Sequence, residues 1–314
     1  MQVLFIDSVH PILWEKLSKA GFTCIDGIGK SADELKPLLK TADGLVIRSR
    51  FTIDQALLKE CPQLKFIARS GSGMENIDTE AALALGIKLY NSPEGNCDAV
   101  GEHAVGMILS LFNHLCRGNQ EAKKGVWIRE GNRGLELGGR CVGIIGYGHT
   151  GSAFAQKLSG FGCRILAYDK YKTGFGNEHV TEVSLPELMD EAEIISFHLP
   201  LNSETKEYCN ADFISKLNLP FYIINTSRGV VVKTADLVNG LKSGKVLGAC
   251  LDVLEYEKSS FESLEFSDLP EDFQYLAKSE NVILSPHVAG WTSESYLKLS
   301  LFLAQKILAD FRAK

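Results

Sequence analysis

The chain has no uninterrupted apolar run of the roughly 18 residues that a membrane span needs, so a helical membrane anchor is not expected. It has no excess of positive charge. The 33 lysines and arginines stand against 39 aspartates and glutamates, a formal net charge of −6, and nothing electrostatic argues for nucleic acid or a membrane surface. There is no basic segment at the start and no small-residue cleavage site. Met1-Gln2-Val3-Leu4-Phe5-Ile6-Asp7 reads as a first strand rather than a leader. No Cys-x-x-Cys pair occurs. The eight cysteines are scattered, several of them (Cys141, Cys163, Cys250) in or beside apolar strand-like runs. They read as reduced thiols of a cytoplasmic protein and supply no metal set. Solenoid-type repeats and low-complexity tracts are also missing. What remains is a composition 45% hydrophobic and 23% charged over 314 residues, ordinary for a globular chain and long enough for two domains.

Against that background one segment carries the most information. Val142-Gly143-Ile144-Ile145 is an apolar run; Gly146-Tyr147-Gly148-His149-Thr150-Gly151 is Gly-x-Gly-x-x-Gly; Ser152 to Leu158 reads as a helix. In a strand-turn-helix of this kind Gly146 permits the tight turn and Gly148 lets backbone approach a pyrophosphate. Gly151 lets helix and strand pack closely. The phosphates then sit on free N–H groups at the helix N-terminus. A second apolar run, 164–168, ends at Asp169. An acid about 20 residues beyond the glycines is placed to accept hydrogen bonds from the ribose hydroxyls and to repel a 2′-phosphate, which favours NAD over NADP. His149 lies inside the glycine turn.

Strand-like and helix-like segments alternate nearly throughout, which argues for α/β architecture with parallel sheets. In the first part, strands are expected at 3–6, 45–47, 66–68 and 88–90. A helix after Ser31 has a capping residue and a Pro37 that should shorten or kink it. Another is expected after Thr52, which opens a Thr-x-x-Gln box. The run 98–115 is apolar on more than one face, which suggests a helix buried between domains or in a dimer interface. A second series follows from Arg140, with strands at 142–145, 165–168, 194–197, 222–225, 246–251 and 282–284. Ser184-Leu185-Pro186-Glu187 opens a capped helix before the third of these. The helical run from Ser293 to about Phe311 has no strand to return to and is expected to pack back on the first domain. The layout is one domain inserted in another, with crossings near 92–98 and 288–292. Residues 1–95 and 291–314 make a flavodoxin-like substrate domain and residues 96–290 a Rossmann domain, both doubly wound parallel sheets.

Ligands of doubly wound sheets bind beyond the carboxyl ends of the strands. In the second series those exits carry Thr226-Ser227-Arg228-Gly229, then Asp252 with Glu255-Tyr256-Glu257, then Ser285-Pro286-His287. An arginine, a carboxylate and a histidine on neighbouring exits suit hydride transfer at a 2-hydroxy acid. Arginine grips the substrate carboxylate with a planar fork of donors. Histidine exchanges the hydroxyl proton near neutral pH, and a carboxylate orients the imidazole. Arg228, Glu257 and His287 fit these roles. Competing readings are a carbonyl-capping Arg228, a solvated Glu257 in an acidic loop that also holds Glu255, Glu262 and Glu265, and a structural His287. Glu255 is the close rival of Glu257. His10, His114 and His179 carry no signal, His103 lies on the long helix, and His198, before Leu199-Pro200, borders the cofactor rather than reacting.

At these residues the chain resembles the D-isomer-specific 2-hydroxyacid dehydrogenase family, with D-3-phosphoglycerate dehydrogenase the nearest-looking branch. The matching pieces run along almost the whole chain: Arg69-Ser70-Gly71-Ser72-Gly73-Met74-Glu75-Asn76-Ile77-Asp78, the glycine turn, His198-Leu199-Pro200-Leu201, Asn225-Thr226-Ser227-Arg228-Gly229, Leu251-Asp252-Val253 through Glu257, and Ser285-Pro286-His287. The resemblance implies that Arg228, Glu257 and His287 are the catalytic three, and its Leu-Asp-Val-x-x-x-Glu register favours Glu257 over Glu255. It implies that the N–H groups of Ser70, Gly71, Ser72 and Gly73 hold the substrate carboxylate, a use that suits a Gly-rich loop. It further implies NAD contacts from Thr150, Asp169, Leu199, Pro200, Thr205, Thr226 and Asp252, with Ser227 and Gly290 beside them, a substrate cleft between domains that close by hinge motion, and a homodimer. Departures are Glu257-Lys258 in place of Glu-Pro, a long acidic stretch from 259 to 280, and Trp291 where a smaller residue is usual. The C-terminal regulatory domain of many phosphoglycerate dehydrogenases is not expected here, nor serine feedback through it.

A phosphorylated substrate needs further cations. Arg48 and Arg50 follow a strand, Arg69 precedes the glycine loop, and Arg129 and Arg133 follow Trp127. By resemblance, arginines near Arg48 and Arg129 touch the substrate phosphate. With such contacts the substrate is 3-phosphoglycerate; with these arginines merely solvated it is glyoxylate, hydroxypyruvate, D-lactate or a larger D-2-hydroxy acid. Other classes in competition are an NAD-sensing, corepressor-like binding protein and a methyltransferase with a similar glycine loop.

Overall fold

A computed structural model describes residues 1–257 and 270–311. The acidic residues Glu262 and Glu265, and with them much of the stretch from 259 to 280, lie outside the described residues. The chain forms two compact units, Met1–Asn96 with Trp291–Lys314, and Cys97–Gly290.

In the first unit, β1 (Gln2–Phe5), β2 (Thr23–Asp26), β3 (Gly44–Ile47), β4 (Phe66–Arg69) and β5 (Lys88–Tyr90) form one sheet in the order β2-β1-β3-β4-β5. Every pairing is parallel, and the strand order is flavodoxin-like. The central β3, Gly-Leu-Val-Ile, is buried along its whole length, as a strand covered on both faces must be. One face packs Leu35, Leu39, Leu58 and Ala82. The other packs Leu13 and Leu17 with Leu303, Ala304 and Ile307 of the helix Ser293–Phe311, which returns to this unit as its lack of a following strand suggested. The chain reverses direction across the sheet at β1 and β3, so the exits carrying Asp7 and Arg48 flank a topological switch point.

Local chemistry explains where the helices begin. Ser31 Oγ accepts from Glu34 N and the Glu34 carboxylate accepts from Ser31 N at 2.8 Å, a complete capping box. Pro37 sits inside that helix, which stops at Leu39. The expected Thr52 cap is wrong. Ile53 bridges to Ile77, its N–H donating to Asn76 O and its carbonyl accepting from Asp78 N. The chain therefore stays extended through 53, and Asp54 caps the helix Gln55–Lys59 instead.

In the second unit, β6 (Cys141–Ile145), β7 (Arg164–Tyr168), β8 (Val180–Glu182), β9 (Ile194–Phe197), β10 (Phe221–Asn225), β11 (Val246–Leu251) and β12 (Val282–Leu284) form a seven-stranded sheet in the order β12-β11-β10-β9-β6-β7-β8. All pairings are parallel. From β6 the chain winds outward to β8, then returns to β9 on the other side. This is the Rossmann arrangement, with its switch point between β6 and β9.

The long helix, Cys97–Phe112, sends Val105, Ile108, Leu111 and Phe112 into the core of its own unit, where they pack with Val142, Ile144, Phe154 and Ile224. Gly101 permits that approach, since a Cβ there would lie 3.0 Å from the backbone of Ala153. The exposed apolar side chains come just after it: Leu115, Val126, Trp127 (80% exposed), Ile128 and Leu135.

Candidate active site

The glycine turn leaves β6 at the switch point. Gly146 has φ +92°, and a Cβ there would lie 2.4 Å from the carbonyl oxygen of His198 in the loop leaving β9. A Cβ at Gly151 would lie 2.1 Å from Gly146 O, whereas one at Gly148 would meet nothing within 4 Å. Gly146 and Gly151 thus close the turn on its neighbour and on itself, and Gly148 leaves its approach clear. Gly148 caps the helix His149–Leu158 without any side-chain hydrogen bond. By contrast, Ser31 and Ser184 cap their helices with hydroxyls. The first-turn N–H groups of residues 149–151 therefore carry no protein cap and suit a pyrophosphate. His149 is exposed and Thr150 half-buried.

Asp169 follows β7 and is held by backbone. Its Oδ2 accepts from Tyr147 N at 2.7 Å, and its Oδ1 from Tyr171 N and Lys172 N at 2.9 and 3.0 Å. The carboxylate is thereby fixed against the glycine turn. After β9, Thr205 Oγ1 donates to Pro200 O at 2.6 Å and pins the loop that carries Leu199 and Pro200. The Leu199 side chain reaches the Gly146 turn. His198 is buried, its Nε2 2.8 Å from Ser196 Oγ, and burial pushes the imidazole down to about 3. It is neutral near pH 7 and is no proton shuttle. After β10, Ser227 N and Oγ both donate to Asn225 Oδ1, while the buried Thr226 Oγ1 has no hydrogen-bond partner among the described residues.

The three strand-exit candidates follow neighbouring strands. Arg228 follows β10 and donates from Nη1 to Ser227 O at 2.7 Å. Gly229 lets this loop touch the next one, since a Cβ there would lie 1.9 Å from Leu254 O. Glu257, beyond β11, accepts from Leu254 N at 2.5 Å through Oε1, and its Oε2 lies 2.8 Å from His287 Nδ1. Glu255 turns elsewhere: its Oε2 accepts from Thr234 N at the start of the helix Thr234–Ser243. The rivalry between the two glutamates is thus resolved by geometry, with Glu257 at the histidine. His287 sits in left-handed backbone at φ +54°, a conformation that costs a non-glycine residue and persists only when its surroundings hold it. Asp252 does much of that holding. It is 1% exposed; its Oδ1 accepts from Val288 N and Ser285 Oγ, and its Oδ2 from Ala289 N. Gly290 ends the unit three residues after His287.

In the first unit, Asp7 Oδ2 accepts from Arg48 N at 2.5 Å, and Asn76 Nδ2 donates to Arg48 O. The Arg48 guanidinium carbon lies 4.3 Å from the centre of the Trp291 ring, and burial lowers its pKa. Two of the four amides assigned to a substrate carboxylate are already used: Ser70 N donates to Ile47 O and Gly71 N to Arg69 O. Ser72 is itself tied by Oγ to Asn96 at 2.7 Å. Arg129 is exposed at the start of a short 3-10 turn.

Sequence reading missed the contacts of Asp7 and the Arg48–Trp291 stack in the first unit, and those of His103 and Ser285 in the second. Asp7 had a signal, since it follows β1 at a switch point, but in the first unit only the exits bearing arginines were read. The other contacts join residues far apart in the chain and left no local trace.

Fold and glycine turn together define a dinucleotide-dependent oxidoreductase built of two parallel α/β units. Residues 105–289 match the family model for the NAD binding domain of D-isomer specific 2-hydroxyacid dehydrogenases. The chain is 33% identical over 280 residues to hydroxypyruvate reductase of Thermotoga maritima, covering 88% of each. It is 33% identical over 309 residues to D-3-phosphoglycerate dehydrogenase of Haemophilus influenzae, covering 98% of this chain and 73% of that one. It spans about half of a longer relative, 53% of the Synechocystis D-3-phosphoglycerate dehydrogenase. Among solved structures, D-lactate dehydrogenase of Aquifex aeolicus, complexed with NAD and lactic acid, superposes with a TM-score of 0.82 at 29% identity, covering 98% of this chain and 95% of that one. The chain belongs to the D-isomer specific 2-hydroxyacid dehydrogenase family, and is an enzyme that uses NAD. No helix among the described residues is long and apolar enough to cross a membrane.

Proposed function

We propose that this enzyme interconverts a D-2-hydroxy acid bearing an anionic tail with its 2-oxo acid, 3-phosphoglycerate and 3-phosphohydroxypyruvate first among them, which would make it part of serine biosynthesis. Arg228, Glu257 and His287 are the catalytic residues. The observation that carries this reading is the 2.8 Å contact between Glu257 Oε2 and His287 Nδ1. Glu257 engages Nδ1 and so makes Nε2 the atom that exchanges a proton with the substrate oxygen. Arg228 pairs with the substrate carboxylate as a planar, always charged fork. The N–H groups of Ser72 and Gly73 offer further donors to an anion.

The residues present fit NAD. The helix at Gly148 has no side-chain cap, and among the described residues Thr226 Oγ1 is buried without a hydrogen-bond partner and Asp252 Oδ2 takes only one of the two donors it can accept. Residues 146–151 would hold the pyrophosphate, Asp169 the ribose hydroxyls, and Leu199, Pro200, Thr226 and Asp252 the nicotinamide end. Bound NAD supplies the acceptor or donor of the hydride.

Arg48 supports an anionic tail. Its guanidinium is stacked on Trp291, and among the described residues the guanidinium N–H groups donate to no side chain or carbonyl, the backbone N–H alone being taken by Asp7. Hydroxypyruvate and glyoxylate form the second reading, favoured by the similarity to a hydroxypyruvate reductase; a D-lactate-type dehydrogenase is the third. A panel of 2-oxo acids with NADH separates them. The highest kcat/KM is expected for 3-phosphohydroxypyruvate, with Arg48→Gln raising its KM and not that of pyruvate. Equal rates on pyruvate would overturn the phosphorylated assignment. A homodimer is supported by the exposed apolar side chains at Leu115, Trp127 and Ile128, and a cytoplasmic location by cysteines without disulfides.

A further inference from the structure

Ser285 Oγ lies 2.6 Å from Asp252 Oδ1 and 2.9 Å from His103 Nε2, with Met107 Sδ farther away at 3.7 Å. A serine has one hydrogen to give. The short contact to a buried carboxylate takes it, because a charged acceptor binds a hydroxyl far more strongly than a thioether does. Ser285 Oγ must then accept from His103, which fixes the proton on Nε2. The result is a directed chain: His103 Nε2–H to Ser285 Oγ, Ser285 Oγ–H to Asp252.

The far end of that chain is the backbone that presents His287. The carbonyl of Asp252 accepts from His287 N at 2.7 Å, and its two carboxylate oxygens accept from Val288 N at 2.9 Å and Ala289 N at 2.8 Å. Three consecutive amides are thus gathered by one residue, at the position where a non-glycine residue is held at φ +54°. A carboxylate clamps strained backbone only if its own torsion is fixed, and Ser285 fixes it. His103 projects from the helix Cys97–Phe112, which is anchored in the core of the same unit. We infer that His103 and Ser285 are positioning residues for the reaction. They lock the Asp252 carboxylate, and Asp252 holds His287 in its left-handed conformation.

This inference rests on the proposed role of His287, so the test has two separate arms. Ser285→Ala, His103→Ala, the double variant and Ser285→Thr are compared with the wild type. In the kinetic arm, each alanine variant is expected to lower kcat by about 10- to 100-fold, as displaced catalytic groups do, with NADH affinity and KM little changed. Ser285→Thr, which keeps the hydroxyl, restores most of the loss. The double variant falls no further than Ser285→Ala, because both act through one chain. In the exchange arm, the backbone amides of Val288 and Ala289 lose hydrogen-exchange protection in Ser285→Ala and recover it in Ser285→Thr. Unchanged protection would overturn the clamp. Lost protection with unchanged kcat, or additive losses in the double variant, would overturn the positioning role. If the wild type reduces no 2-oxo acid at all, the function of His287 fails, and the exchange arm still decides whether the clamp exists.

Discussion

Glu257 and His287 stand 30 residues apart in the chain and meet with Oε2 2.8 Å from Nδ1. An acceptor at Nδ1 dictates that the ring keeps a proton there and works through its other nitrogen. Glu257→Gln preserves the shape but can turn an amide N–H₂ toward Nδ1, favouring the wrong tautomer. A loss in kcat on the order of 10² or more is expected, by analogy of role with the carboxylate of a catalytic triad. KM should move far less. Steady-state kinetics on the best 2-oxo acid checks it.

Cofactor choice turns on Asp169. Its carboxylate is locked by Tyr147 N, Tyr171 N and Lys172 N and cannot swing away from a 2′-phosphate. Asp169→Ala is expected to lower the ratio of kcat/KM for NADH over NADPH by about tenfold or more, since a tenfold change needs only about 1.4 kcal/mol. A wild-type enzyme that already prefers NADPH would contradict the role given to Asp169.

The three glycines of the turn should separate into two kinds. Gly151→Ala drives a Cβ to 2.1 Å from Gly146 O, an overpacking expected to cost about 1–3 kcal/mol or more. Gly148→Ala meets nothing within 4 Å and should leave the urea midpoint almost unmoved while weakening NADH binding. Urea titration and NADH fluorescence, run on both variants, test the contrast. A Gly148→Ala protein that binds NADH normally would remove the pyrophosphate from this turn.

Stability should fall on mild acidification because of His198. Its folded-state pKa is pushed by burial from 6.5 to about 3, so the unfolded chain binds the extra proton between those values. The contribution is present above pH 6.5 and is lost as pH falls, at up to about 1.4 kcal/mol per pH unit. The carboxylates held low by hydrogen bonds, among them Glu34 and Glu187, add their loss only below about pH 4.5. The interval from pH 6.5 to 5 therefore isolates the imidazole. His198→Gln is expected to flatten the fall of the urea midpoint across that interval. An unchanged slope would mean another group is responsible.

Much of the architecture was legible because its signals are local. The glycine turn, the Ser31 and Ser184 boxes and the apolar strands at β6, β9 and β10 each announce themselves within a few residues. β2 and β8 were not legible. Both are edge strands, Thr23-Cys24-Ile25-Asp26 and Val180-Thr181-Glu182, partly exposed and without a continuous apolar run. Thr52 misled because a bridge to Ile77 overrides its capping pattern. At the site, Arg228, Glu257 and His287 were found from strand exits, while the support behind them was not. His103 and Ser285 are 182 residues apart, and nothing near either residue forecasts their contact. The same holds for the amides of Ser70 and Gly71, whose acceptors are chosen by the folded turn.

Single-turnover reduction with NADH already bound probes the heart of the account, the proton exchanged at residue 287. His287→Gln is expected to slow the chemical step by about 10² to 10⁴, with the NADH dissociation constant unchanged. A chemical step within about threefold of the wild type, on any 2-oxo acid the enzyme accepts, would show that the imidazole held by Glu257 is not the acid of this reaction.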